Sequence, residues 1–126
     1  MSIVRQQLQQ YRQGDAVCTV DGQVRCDYLL PESFCGFAGH FPDFPIVPAV
    51  IQVMMAQILV EEYLPQCAAI GGIQRAKFLR QIKPDENIQV CCSTKTVRNR
   101  KVVDVLIEVD GSPAATMLLL CVNGEK

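Results

Sequence analysis

Tryptophan is absent from the 126 residues, and histidine occurs once, at position 40. A flat ligand would therefore have to stack on phenylalanine or tyrosine, and a zinc site would have to be almost all thiolate. Seven cysteines are present, but they fall at 18, 26, 35, 67, 91, 92 and 121, an odd number with no C-x-x-C pair. They read as reduced, small apolar fillers, and no metal is expected. Charge of neither sign is in excess: the formal net charge is −1, so no bulk positive field points to nucleic acid. No apolar run reaches the roughly 20 residues that span a bilayer, because the longest candidate, 47–60, is interrupted by Gln52 and Gln57. The opening MSIVRQQLQQYRQGD lacks a secretory apolar core. The expectation is a cytoplasmic protein with no membrane span.

What is there fits one globular domain over 1–126, with 49% apolar and 20% charged residues. Apolar side chains at 3, 4, 8 and 11 predict a short helix over 3–12, closed by Gly14. AVCTV and QVRCDYLL flank Asp21-Gly22 and predict a hairpin with a tight turn. The next stretch, PESFCGFAGHFPDFPIVP, carries too many prolines for regular structure, yet Phe34, Phe37, Phe41 and Phe44 make it apolar, so it must lie against the fold. Pro48 opens a helix, AVIQVMMAQILVEEYL, and Pro65 stops it. This helix is apolar nearly all round and hence buried, with Glu61 and Glu62 marking a solvated end. Four strand-like runs follow Gly71-Gly72, joined by short turns, and predict an antiparallel meander. Cys91 and Cys92, adjacent in one of them, should face opposite ways. One buried helix beside a large antiparallel sheet is an α+β domain in which the sheet wraps the helix. Its open edges favour a homodimer.

The lone histidine sits in GHFPDFPIVPAV (39–50), on a proline-stiffened loop before the buried helix. On its own it is either a proton carrier or a packed side chain. The loop as a whole resembles the signature of the hot-dog-fold (3R)-hydroxyacyl-[acyl-carrier-protein] dehydratases. Gln57 in the helix, IQRAKFLR (73–80) leading to KPDE (83–86), and the Asp110-Gly111 turn are similar as well. The resemblance implies a hot-dog fold and elimination of water from 3-hydroxyacyl thioesters in fatty-acid or related acyl-chain biosynthesis. It implies His40 as the base, acting with an acid on the long helix across a dimer interface, and backbone amides at the helix start that polarise the thioester carbonyl.

Two family positions differ. The acid should fall six residues after Pro48, where this chain has Met54, and the glycine after that proline is Ala49. Gln52 lies about 200° around the helix from Met54 and faces away. Gln57 is better placed as a weak polar helper but cannot donate a proton as an acid does. Glu61 and Glu62 sit about 10–12 Å further along. The catalytic pair is thus incomplete, and the alternative is a non-catalytic or partner-dependent acyl-thioester-binding subunit; a thioesterase is the thinner third reading. The resemblance further implies substrate contacts from Phe41, Pro48, Ala49, Val50, Met54 and Phe78, docking of an acidic acyl carrier protein on Arg75, Lys77 and Arg80, and no cofactor beyond the phosphopantetheine arm that carries the substrate. Phe34, Phe37, Phe41, Met54, Met55 and Phe78 either line an acyl tunnel or are plain core. The expected assembly is a homodimer or higher oligomer, with a heterodimer with a related subunit as the alternative.

Overall fold

The computed structural model describes residues 3–37, 45–65 and 67–122, so His40 and Phe41 lie outside the described residues. Helix α1 (Ile3–Gln10) is followed by β1 (Val17–Cys18), β2 (Gln23–Leu29), a single 3-10 turn (Cys35–Phe37) and helix α2 (Ala49–Tyr63). Strands β3 (Ile70–Phe78), β4 (Asn87–Val97), β5 (Arg100–Val109) and β6 (Ser112–Cys121) complete the fold. The six strands form one antiparallel sheet in the order β1-β2-β4-β5-β6-β3.

Alternation along the strands gives the sheet one apolar face. Val24, Cys26 and Tyr28 of β2, Ile88, Val90 and Cys92 of β4, and Val103, Val105, Ile107 and Val109 of β5 are buried in one core. Met55, Ala56, Ile58, Leu59 and Val60 of α2 are sealed in the same core, so the sheet curls around the helix as the pattern predicts. Cys92 is buried and Cys91 is not, in keeping with their opposite faces. Pro48 caps α2 at its start, with φ −64° and ψ 155°, and the helix stops before Pro65.

Four expectations need correction or extension. The strands after residue 70 are not a simple meander: β4, β5 and β6 are consecutive neighbours, but β3 pairs with β6 at the far edge. The other flank of β4 is already taken by β2. The β3–β4 connection therefore crosses the end of the fold, where Ile82 is buried and its carbonyl accepts from Val47 N at 2.8 Å. Second, α1 ends at Gln10 instead of reaching Arg12, because the following residues pair with β2: Leu29 N donates to Tyr11 O and Gln13 N to Asp27 O. Third, Glu61 and Glu62 are exposed, as expected of a solvated end, but they also make ion pairs that the sequence did not suggest. Glu61 pairs with Arg5 at 3.0 Å and Glu62 with Arg12 at 2.7 Å, latching α1 onto the end of α2.

The fourth concerns cysteine. Cys67 and Cys121 form a disulfide, Cα–Cα 5.3 Å, that ties the chain leaving α2 to the end of β6. Their spacing in sequence carries no such signal, since 54 residues separate them. In the chain-entropy picture a closure of this length stabilises by about 4 kcal/mol, an upper figure for a native bridge. The Cys67→Ser/Cys121→Ser variant is expected to melt roughly 10 °C below the parent. Differential scanning calorimetry with and without reductant checks this: reductant should lower the melting temperature of the parent and leave the variant where it is.

Candidate functional site

The start of α2 is an exposed, positively polarised helix end. Ile51 N and Gln52 N both donate to Pro48 O, at 3.0 and 3.2 Å, and Pro48 offers no side-chain cap. Helix geometry leaves the preceding amides, of Ala49 and Val50, without an acceptor inside the helix. Both residues are exposed, Val50 to 64%, and no acidic residue occupies the first turn. Those amides and the macrodipole favour an anion or a developing oxyanion at that point.

From this end an uncovered stripe runs down the helix. Val50 is exposed and Val53, Met54 and Gln57 are half-buried, while Ile51, Gln52, Met55 and Ala56 face the core. Met54 and Gln52 thus lie on different sides, as their spacing requires. Gln57 does not stand free as a helper, for its Nε2 donates to Glu61 Oε2 at 3.2 Å. Phe34, Phe37 and Met55 are fully packed, the two phenylalanine rings edge-on at 5.6 Å, and are plain core. Of the described tunnel candidates, only Met54 and Phe78 retain accessible surface.

The edge strand β3 is open on both faces. Register with the buried Leu119 and Ala115 puts Ile73 and Phe78 on the helix side, 49% and 43% exposed. Arg75 and Lys77, opposite Leu118 and Thr116, point to the other side of the sheet. Arg80 behaves differently from these two: its Nη2 pairs with Glu86 Oε2 at 2.6 Å, and Glu86 Oε1 accepts from Lys83 N, closing the turn before β4.

One feature of the site was not legible beforehand. Gln52 is only 3% exposed; its Nε2 donates to Val47 O at 3.2 Å, and its buried Oε1 has no donor among the described residues. The signal for it was a glutamine inside an otherwise apolar helix. The carboxamide pins the loop that enters α2 and leaves one acceptor unsatisfied beside the helix start. Three of the sheet's cysteines are held back from reaction, while Cys18 on β1 is a free, exposed thiol. Burial pushes the thiols of Cys26, Cys91 and Cys92 up, which holds them as thiols at neutral pH. Among the described residues no group of three or more His, Cys, Asp or Glu could hold a metal ion.

The chain matches the ApeI dehydratase model of the ApeI-like family over residues 17–114, the sheet and helix just described. The chain belongs to the ApeI-like dehydratase family. Curated relatives of this hot-dog dehydratase include 3-hydroxyacyl-[acyl-carrier-protein] dehydratase FabZ of Clostridium botulinum (strain Okra / Type B1), 33% identical over 97 residues that cover 71% of this chain and 67% of that protein. The FabZ of Latilactobacillus sakei is 31% identical over 88 residues, 64% of this chain and 63% of that one. The chain thus spans about two thirds of the length of these relatives. Among solved structures, the dehydratase heterocomplex ApeI:P from Xenorhabdus doucetiae superposes with a TM-score of 0.75 at 17% identity, covering 86% of this chain and 95% of that one. An uncharacterised protein from Erwinia carotovora superposes with a TM-score of 0.72 at 19% identity, over 92% of this chain and 98% of that one. These neighbours identify the architecture as the hot-dog fold. In this ApeI-like chain the helix position that the signature loop counts to is Met54, half-buried on the uncovered stripe with no carboxylate beside it in sequence.

Proposed function

We propose that this protein handles 3-hydroxyacyl thioesters carried on a phosphopantetheine arm, eliminating water to give the 2-enoyl thioester, with no other cofactor. The observation that carries the reading is the uncapped, exposed start of α2 at Ala49 and Val50, set at the head of an apolar stripe in a chain of the dehydratase family. A thioester carbonyl laid against those amides becomes more acidic at its α-carbon, because the enolate oxygen that develops is met by oriented N–H groups. His40 takes the α-proton; its assignment rests on the signature loop. Pro48, Val50, Met54, Phe41 and Phe78 supply the acyl contacts. The test is direct: the purified chain is given a 3-hydroxyacyl thioester and formation of the conjugated enoyl thioester is followed by absorbance. No turnover, either alone or mixed with a related dehydratase subunit, would overturn the reading.

The second reading, a partner-dependent subunit, is favoured by one specific observation: Met54 stands where the acid is needed. In it the site works only when a related subunit contributes a carboxylate across the interface. Both readings require the exposed edge β3 to be covered. Ile73, Phe78 and the stripe Val50-Val53-Met54 present apolar surface around an unpaired strand edge, the arrangement that a second protomer removes from water. We infer a β3-paired dimer. Ile73→Asp is expected to halve the mass measured by sedimentation, and an unchanged mass would exclude this edge. The acyl carrier protein is assigned to Arg75 and Lys77, whose guanidinium and ammonium groups are exposed. Arg80 is set aside because Glu86 occupies it.

A further inference from the structure

The uncovered stripe on α2 changes chemistry part-way along its length. Val50, Val53, Met54, Gln57 and Glu61 fall within about 100° of one another around the helix by its 3.6-residue period. Val50 and Glu61 are exposed and the three between them half-buried, so all five share the face that the core leaves open. The first three are apolar. The last two are joined by a hydrogen bond, Gln57 Nε2 donating to Glu61 Oε2 at 3.2 Å.

That polar end is also where α1 meets α2. Arg5 Nη2 pairs with Glu61 Oε1 at 3.0 Å, so both oxygens of the carboxylate are engaged. One residue on, Glu62 accepts from Gln9 Nε2 and pairs with Arg12. Arg5 and Gln9 belong to α1, and Arg12 follows just after it. The apolar part of the stripe therefore runs into an ion-paired wall and not into open solvent.

We propose that Gln57, Glu61 and Arg5 form the end stop of the acyl path and restrict the protein to acyl chains of medium length. The stop rests on the thioester reading, in which the carbonyl lies at the amides of Ala49 and Val50. From Val50 to Gln57 the helix rises about 10 Å, roughly the span of an extended chain of eight to ten carbons. Within that distance each methylene laid on Val50, Val53 and Met54 leaves water for apolar surface, a gain of about fourfold in affinity. Further methylenes strip water from a carboxamide, a carboxylate and a guanidinium, which cancels the gain. A longer chain can displace the stop only by undoing contacts that hold α1 on α2. A mere tie between the two helices, in contrast, carries no dependence on acyl length.

The test is isothermal titration of the full chain with saturated S-acyl-pantetheines from butanoyl to tetradecanoyl, which have no 3-hydroxyl to lose. In the parent, affinity is expected to rise about fourfold per methylene to octanoyl or decanoyl and then to level off or fall. Gln57→Leu/Glu61→Leu extends the apolar stripe by two side chains. There the rise is expected to continue, so that dodecanoyl binds at least about tenfold tighter than decanoyl. Circular dichroism checks that this variant is folded, with Glu62 and Arg12 still holding α1. A parent whose affinity climbs through tetradecanoyl overturns the stop without any variant. So does a variant that keeps the parent's break or weakens every length alike. In each of those outcomes the thioester reading stands, because acyl-pantetheines bind. No binding at any length removes that reading, and the stop falls with it.

Discussion

Met54→Glu is expected to raise enoyl-thioester formation by about 10²–10⁴-fold, the usual contribution of one positioned general acid. The position sits on the uncovered stripe of α2, one turn beyond the exposed amides of Ala49 and Val50, and is half-buried. A carboxyl group there is partly withdrawn from water, which favours its protonated form and so its use as a proton donor to the departing hydroxyl. The core side of the helix is untouched, since Ile51, Met55 and Ala56 carry the packing. The substitution should therefore cost little stability, which circular dichroism checks. The gain appears in kcat against a 3-hydroxyacyl thioester, with KM changing far less, because the new group acts on the leaving oxygen in the transition state. A folded variant with the parent's rate would mean that no reacting hydroxyl lies near position 54. The elimination chemistry would then have to be abandoned for this chain acting alone.

The fold was legible because its signals are local and periodic. AVIQVMMAQILVEEYL lies between two prolines and is apolar nearly all round, and that alone demands a sheet to enclose it. The neighbours of β3 were not legible: edge choice depends on which flank of β4 the earlier strand β2 has filled, a non-local fact. The Cys67–Cys121 bridge hid for a similar reason, as pairing across 54 residues leaves no spacing to read. Glu61 and Glu62 are solvated as read, but their ion pairs were not legible, since the partners, Arg5 and Arg12, come from the other end of the sequence. At the candidate site, the helix start could be placed from Pro48, whereas an acid expected at position 54 is only what the resemblance of the loop implies. The resemblance groups Arg75, Lys77 and Arg80 as docking residues. In the structure strand register sends Arg75 and Lys77 to the outer face and Glu86 pairs with Arg80, a distinction that needs the register and the turn before β4 to be seen. Gln52 could be placed on the core side by helical period, although its orphaned carbonyl needed the packing around it to become visible.

His40→Ala is expected to lower turnover by about 10²–10⁴-fold while leaving the fold intact. The reason is arithmetic as much as geometry: the chain holds one imidazole, so no second histidine can take over proton abstraction. The same fact makes the test unusually clean. A proton NMR titration shows a single imidazole, and its midpoint must coincide with the rising limb of kcat/KM against pH, since the base works only when deprotonated. Rate should climb as pH rises through that midpoint and level off above it; in the alanine variant the limb should vanish along with the rate. On the proposed reading, binding of an unreactive acyl thioester should survive, because the amides of Ala49 and Val50 and the apolar stripe that would hold it are unchanged. A mutant that keeps full turnover, or a wild-type pH limb displaced well away from the imidazole midpoint, would remove histidine from the chemistry. The helix start would then be left as a thioester-binding element, and the partner-dependent reading would take its place.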